Sequence, residues 1–137
     1  MSFRDALRNG FVFLDGSMGT VLQAHQARNG GPGWKVPEEL NLTDPDLIRK
    51  IHTGYLEAGA TVILTNTFGA NRFKLADTGF NAAEIVTLAT RIARKAAAPY
   101  KDRYVALDIS STGKLLEPMG SCTFDEQVPN SASGVQV

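Results

Sequence analysis

Short apolar runs alternate with longer amphipathic segments along the chain, and this alternation predicts its secondary structure. Three runs are predicted to be strands, because each is short and rich in branched or aromatic side chains: residues 11–15, 61–65 and 104–109. The first two runs end in small polar residues, at 15–20 and 65–71. In a parallel sheet, the carboxyl ends of strands are where ligands collect.

Periodicity and capping residues predict the helices between these strands. Ser2 and Asp5 have the spacing of a capping box in front of a helix at residues 3–8. Thr43 is predicted to cap a later helix, and Gly59 to end it. The helix that follows Thr43 is predicted to cover residues 45–58. The remaining predicted helices cover residues 19–26 and 71–77 and a longer stretch, whose start is marked by Asn81 and Glu84 and whose end is marked by Pro99.

The order of elements predicts the fold class. Strands that alternate with helices form an α/β fold, in which the strands are parallel and the crossovers are right-handed. The periodicity ends after residue 126. Residues 1–126 are therefore expected to form one domain or part of one, and residues 127–137 an unstructured or aberrant tail.

Composition and charge narrow the possible function classes. The 137 residues include 14 basic and 14 acidic side chains, so the formal net charge is zero. No basic cluster lies along one face, so nucleic acid is not expected as a partner. No apolar run approaches the roughly 20 residues of a membrane span. With the single cysteine Cys122, the chain is expected to be cytoplasmic, without disulfides or membrane partners.

The first strand end carries the most informative candidate residues, which are Asp15, Gly16, Ser17, Met18 and Gly19. Unpaired backbone N–H groups at a helix start attract a carboxylate or a phosphate. The Asp15 carboxylate beside such amides fits the two charged groups of a zwitterionic amino acid. The same residues also fit a helix N-cap with a tight turn, and their spacing leaves both interpretations open.

The second and third strand ends offer further polar residues. Asn66, Thr67 and Phe68 follow the second strand with amide, hydroxyl and aromatic groups. They either line a ligand site or form an Asx-type turn with Phe68 in the core. Asp108, after the third strand, either lies at the mouth of the site or caps the next element.

The histidines and the cysteine are not predicted to catalyse a reaction. His25 and His52 lack a cysteine or carboxylate at metal-binding spacing, and both are expected on the surface. Cys122 has no neighbouring histidine or second cysteine. It is predicted to be a spare thiol in a loop.

Several separated motifs resemble those of homocysteine S-methyltransferases, and in particular the N-terminal homocysteine-binding module of cobalamin-dependent methionine synthases. The motifs are Phe13-Leu14-Asp15-Gly16-Ser17-Met18-Gly19-Thr20, Asn41-Leu42-Thr43-Asp44-Pro45, Tyr55-Leu56-Glu57-Ala58-Gly59-Ala60, Thr65-Asn66-Thr67-Phe68-Gly69-Ala70-Asn71 and Thr112-Gly113-Lys114-Leu115-Leu116-Glu117-Pro118. Their order and their spread over roughly residues 8–126 make the resemblance specific.

The resemblance implies a (β/α)8 barrel, of which this chain supplies about the first three βα units. Homocysteine is expected at the carboxyl ends of the strands, where Asp15 holds its ammonium and the amides around Gly16 to Gly19 hold its carboxylate. Asn66, Thr67 and Phe68 are expected to line the pocket. The resemblance also implies zinc, held by three cysteine thiolates, and a methyl group carried on cobalamin, or on a sulfonium or betaine in relatives.

The sequence departs from the family pattern at several points. The zinc cysteines of the family lie on later strands, Cys122 matches none of them, and Ser110-Ser111 replaces the usual Gly-Pro. The chain is therefore expected to carry only the amino-acid-binding part of such an enzyme. The alternative is a truncated, non-catalytic fragment or pseudoenzyme that binds amino acids weakly at most. Open sheet edges predict self-association or a complementing second chain.

Overall fold

The structure is a computed structural model that describes residues 1–127, in which helices and strands alternate. Its elements are α1 (Phe3–Asn9), α2 (Met18–Asn29), a 3-10 turn (Pro37–Glu39), α3 (Leu40–Thr43), α4 (Pro45–Glu57), β1 (Val62–Leu64), α5 (Arg72–Leu75), α6 (Ala82–Ala97) and β2 (Tyr104–Ala106). No described helix is long and apolar enough to cross a bilayer. Apart from Gln127, the tail predicted at 127–137 lies outside the described residues.

The strands β1 and β2 pair in parallel, which confirms the predicted α/β class and strand direction. Their register places Val62 opposite Tyr104. On the other side of β1, the Phe13 carbonyl accepts hydrogen bonds from the amides of Thr61 and Val62. Leu14 forms a single parallel bridge to Val62. Within the described residues, β1 therefore lies between β2 and an extended segment around Leu14.

The strand predicted over residues 11–15 is too long, because only Leu14 forms a bridge to a neighbouring strand. The side chains of Phe11 and Phe13 are 90% and 62% exposed. The prediction relied on the apolar character of these residues. Apolar residues occur both in buried strands and in extended segments whose side chains are exposed. Within residues 1–127 this segment pairs only with β1, so its ladder stays short.

Helices α4 and α6 pack against each other and cover one face of the sheet. Ile63 of β1 is fully buried in a cluster with Leu56 of α4 and Ala93 of α6. A second cluster joins Ile48 of α4 to Leu22 of α2. Full burial of one large aliphatic side chain stabilises the fold by about 1.5–3 kcal/mol. These contacts hold the helices against the sheet.

Capping residues set the helix starts as predicted at two sites and differently at a third. Ser2 caps α1 and Asn81 caps α6, each by accepting the backbone N–H three residues later. The predicted cap Thr43 is wrong, because Oδ1 of Asp44 accepts the Leu47 amide N–H at 3.2 Å instead. The Thr43 hydroxyl donates to the carbonyl of Glu39 in the 3-10 turn, so it does not cap α4.

His52 is buried, which corrects its predicted surface position. Helix α4 buries Ile48, His52 and Leu56, a stripe of four-residue spacing. The prediction placed His52 on the surface, although Ile48 and Ile51 of the same helix are apolar and buried. The exposed fraction of His52 is 0%, and neither ring nitrogen has a hydrogen-bond partner among the described residues. His25 is exposed, as predicted.

Candidate functional site

A cavity of about 610 Å³ opens at the carboxyl ends of β1 and β2. All of the site residues named from the sequence line it: Asp15, Gly16, Ser17, Met18, Gly19, Asn66, Thr67 and Phe68. The other lining residues are Val36, Pro37, Glu38, Leu64, Thr65, Gly69, Lys74 and Asp108. The fold thus brings together two turns that are far apart in the sequence, and it places Asp108 in the same cavity.

One oxygen of the Asp15 carboxylate is fixed and the other is unused. Oδ2 accepts the Leu64 amide N–H at 2.9 Å, whereas Oδ1 is buried without a hydrogen-bond partner among the described residues. Burial raises the pKa of Asp15; the bond from Leu64 opposes this rise, and the charge of Asp108 adds to it. An unpartnered buried polar atom costs about 1–3 kcal/mol. Asp15 therefore favours a ligand that donates hydrogen bonds.

Tyr55 of α4 supports the turn that follows Asp15. Its hydroxyl donates to the Ser17 carbonyl at 3.1 Å, and burial together with the Asp15 charge raises the pKa of Tyr55. Oγ of Ser17 accepts the Thr20 amide N–H at 3.2 Å and caps α2. The N-cap interpretation of this turn is therefore confirmed. A cap does not exclude a ligand, because the same residues line the cavity at the start of a helix.

Thr65 and Thr67 join the ends of β1 and β2. The Thr67 hydroxyl donates to the Asp108 carbonyl at 2.7 Å, and the Asp108 amide donates to the Thr65 hydroxyl at 3.1 Å. The two hydroxyl oxygens are 2.7 Å apart, which closes a ring of hydrogen bonds. The ring fixes the backbone of Asp108, and burial raises the pKa of its carboxyl group.

Asn66 holds the loop after β1 in place. Its Nδ2 donates to the Pro37 carbonyl at 2.9 Å, and its backbone carbonyl accepts from Nδ2 of Asn41 at 2.8 Å. Asn66 is only 4% exposed. Its side-chain N–H group is therefore used by the fold, although the residue forms part of the cavity wall.

Phe68 lies on the exposed side of the cavity, so the alternative that it is a core residue is wrong. Its side chain is 60% exposed. The Lys74 ammonium lies 4.8 Å from the centroid of the Phe68 ring. The same ammonium donates to Oγ of Ser110 at 3.1 Å. Lys74 therefore links the loop after β1 to the loop after β2.

Glu38 and Lys74 line the cavity but were not predicted as site residues from the sequence. The Glu38 carboxylate is 4% exposed and accepts the Gly69 amide N–H at 2.5 Å. A Cβ at Gly69 would lie 3.0 Å from both carboxylate oxygens. Glu38 gave no signal, because an acidic residue in a loop is ordinarily solvated. Lys74 could have been considered from the sequence, because it lies in the first helical turn after the cap Asn71, close to the predicted strand end.

The described residues do not fit the metal that the family resemblance implies. Among residues 1–127, no group of three His, Cys, Asp or Glu side chains is arranged to hold a metal ion. Cys122 is a free, buried cysteine whose thiol lies 3.5 Å from Oε1 of Gln127. Zinc sites in proteins combine several thiolate, imidazole or carboxylate ligands, and this part of the chain does not assemble such a set.

A larger cavity of about 860 Å³ lies beside β2 and α6, with a different chemistry. Its lining includes Val86, Val105 and Leu107, and none of the described residues that line it carries a carboxylate. The smaller cavity lies at the strand ends and contains Asp15 and Asp108. We therefore regard the smaller cavity as the candidate site.

Several known proteins are similar in sequence to this chain. The family model described as homocysteine S-methyltransferase matches residues 12–132. The chain is 36% identical over 113 residues to the methionine synthase of Mycobacterium tuberculosis, covering 74% of this chain and 9% of that protein. It is 37% identical over 82 residues to homocysteine S-methyltransferase 3 of Zea mays, covering 60% of this chain and 24% of that protein.

A solved structure shares the fold. The metallated form of the homocysteine methyltransferase MmuM from Escherichia coli matches with a TM-score of 0.63 at 25% identity, covering 81% of this chain and 41% of that chain. This chain spans less than half the length of each of these relatives. Because the family model covers most of the sequence and both turns that line the cavity, the chain belongs to the homocysteine S-methyltransferase family.

Proposed function

We propose that this chain carries the amino-acid-binding part of a homocysteine S-methyltransferase of the methionine synthase type. Residues 1–126 would form about the first three βα units of a (β/α)8 barrel domain. The reaction transfers a methyl group to the sulfur of homocysteine and forms methionine. One observation carries the proposal: Asp15 lines the cavity with Oδ2 held by Leu64 and Oδ1 unpartnered among the described residues.

In this proposal, each charged group of the amino acid would have a complement in the cavity. The Asp15 carboxylate would receive the α-ammonium through a charge-assisted hydrogen bond, a type worth about 1.5–3 kcal/mol. The amides of residues 16–19 at the start of α2 would receive the α-carboxylate, which the helix dipole also favours. Asn66, Thr67 and Phe68 would form the wall along the substrate side chain.

We propose cobalamin as the methyl carrier, because the motifs resemble those of cobalamin-dependent methionine synthases and the chain is similar to a methionine synthase. We also propose a cytoplasmic location, because the sequence contains a single cysteine. Zinc, when bound, would lower the pKa of the substrate thiol and make it nucleophilic. The described residues do not fit a zinc site, so no step through zinc is assigned to them. The described residues would only bind and orient the amino acid.

Asp15→Asn is expected to weaken homocysteine binding by roughly ten- to a hundredfold, because a charge-assisted hydrogen bond is lost. The amide oxygen can still accept the Leu64 N–H, so the loop geometry is retained. Isothermal titration calorimetry with and without added zinc measures the affinity. We expect the same wild-type affinity in both conditions.

Asp108→Asn is the matched control, because it removes a carboxylate from the same cavity and leaves Asp15 in place. Its effect on the affinity is expected to be smaller. An equal loss in both variants, or binding that requires zinc, would contradict the role of Asp15. Absence of homocysteine binding in wild type would instead favour the alternative of a non-catalytic chain without a working site.

We further propose that the chain associates with itself or with a complementing chain through its sheet edges. Within the described residues β2 pairs on one side only, and Phe11 and Phe13 are exposed. An unpaired edge beside apolar side chains favours the addition of another strand. The unfolding temperature is expected to rise with protein concentration. A monomer whose unfolding temperature stays constant across about a hundredfold dilution would contradict this.

A further inference from the structure

The ring of Phe68 is the sole aromatic side chain among the described residues that line the candidate site. Exposed aromatic faces bind quaternary ammonium cations, because the ring quadrupole presents negative charge on the face. Sulfonium cations carry the same charge with a similar set of alkyl groups. An unoccupied Phe68 face would therefore be suited to an onium ion.

In this chain the Phe68 face is already engaged by a cation. The Lys74 ammonium lies 4.8 Å from the ring centroid, and it donates to Oγ of Ser110 at 3.1 Å. The Lys74 backbone N–H donates to Oδ1 of Asn71 at 3.0 Å, which fixes its place at the start of α5. The ammonium thus contacts both loops, and the Asn71 cap fixes the backbone of Lys74.

A second cation at this ring would have to displace the ammonium or lie next to it. Two positive charges about 5 Å apart near a protein surface repel each other strongly enough to weaken binding by more than about tenfold. The carboxylates of Asp15 and Asp108 favour cations in the cavity as a whole. Lys74 is therefore the group that decides whether a cation can use the Phe68 face.

We propose that Lys74 is a specificity-determining residue that excludes quaternary ammonium and sulfonium compounds from Phe68. The site would thereby select a methyl donor without an onium centre. This inference rests on the proposed function. In the transfer, a lone pair of the homocysteine sulfur forms the new C–S bond. The methyl carrier keeps the electron pair of the bond that breaks, and the thiol proton passes to solvent.

Tetramethylammonium is a suitable probe, because ring currents shift its methyl NMR resonance upfield when it lies over an aromatic face. Wild type is expected to give no saturable shift. Lys74→Met and Lys74→Gln are expected to bind the probe at least about tenfold more tightly than wild type. Lys74→Arg keeps the charge and is expected to behave like wild type. Circular dichroism checks that each variant is folded.

Two further variants make the result specific. Lys50→Met removes a positive charge from the exposed surface of α4, and we expect no saturable shift. Adding Phe68→Leu to Lys74→Met is expected to abolish the shift. A saturable shift in wild type equal to that of Lys74→Met would overturn the proposal. So would a shift that survives Phe68→Leu, or no shift in either neutral Lys74 variant.

Homocysteine titrated into the same samples separates this inference from the proposed function. If homocysteine does not bind but the probe follows the expected pattern, the proposed function fails and the exclusion by Lys74 stands as a property of the cavity. If homocysteine binds with the expected dependence on Asp15 but the probe ignores Lys74, the proposed function stands and the exclusion fails.

Discussion

Acidification from about pH 7 to about pH 4 is expected to destabilise this chain by about 3 kcal/mol through His52 alone. Burial lowers the pKa of His52 from 6.5 to about 4. Between these values the unfolded chain binds a proton at His52 and the folded chain does not. The free energy of unfolding therefore falls as the pH falls through this window. Above this window the protonation of His52 does not change the free energy of unfolding, and below it the loss is complete.

His52→Leu tests this expectation. The substitution removes the titrating ring and two buried nitrogens that have no partner among the described residues. At about pH 7.5 the variant is expected to be at least as stable as wild type, and at about pH 4.5 clearly more stable. Denaturant unfolding at both pH values measures the difference. His25→Gln is the control, because His25 is exposed, and it should keep the full pH dependence.

Asp15 and Asp108 act in the opposite direction on stability. Burial raises the pKa of both carboxyl groups, so on acidification they bind a proton in the folded chain at a higher pH than in the unfolded chain. At these two sites a falling pH therefore favours folding. Wild type and His52→Leu contain both carboxylates, so the difference between the two chains isolates the histidine. If His52→Leu shows the same loss of stability in acid as wild type, the role of His52 is wrong.

Gly16→Ala is expected to lower the free energy of unfolding by about 1–3 kcal/mol through overpacking. The new Cβ would lie 2.8 Å from the Tyr55 hydroxyl oxygen and 3.0 Å from Cε1 of the same ring. Either the ring moves and loses its hydrogen bond to the Ser17 carbonyl, or the turn moves together with Asp15. Homocysteine binding should weaken in the same variant, because Asp15 lies next to the displaced residue.

Gly19→Ala is the matched control on the same turn. A Cβ at Gly19 has no heavy atom within 4 Å, and alanine is favoured over glycine inside a helix. Its free energy of unfolding should equal or exceed that of wild type. Placing Gly16→Ala in a Tyr55→Phe background should recover part of the loss, because the closest atom is removed. Equal stabilities of Gly16→Ala and Gly19→Ala would refute the role of Tyr55.

Local features of the fold could be predicted from the sequence. Ser2 and Asn81 cap their helices as predicted, because a cap depends on a residue only three positions away. The predicted strands at 61–65 and 104–109 contain β1 and β2. The cap of α4 was assigned to Thr43 rather than Asp44, since both residue types are suitable there and only the backbone geometry distinguishes them.

The candidate site could be predicted in part. The turns after Leu14 and Leu64 were identified together, because parallel strands end at a common edge of a sheet. The cavity there contains both turns. Glu38 was not predicted, because its bond to Gly69 joins residues 31 positions apart. No local pattern in a single sequence encodes such a contact.

The sequence by itself determined the family, the alternation of helices and strands, and the polar turns at the strand ends. Only the tertiary structure decided that His52 is buried, that Phe11 and Phe13 are exposed, and that the Asn66 side chain bonds the Pro37 carbonyl. Periodicity shows which residues share a face of a helix or strand. Burial and long-range hydrogen bonds depend on which faces meet in space, and that is a property of the folded chain.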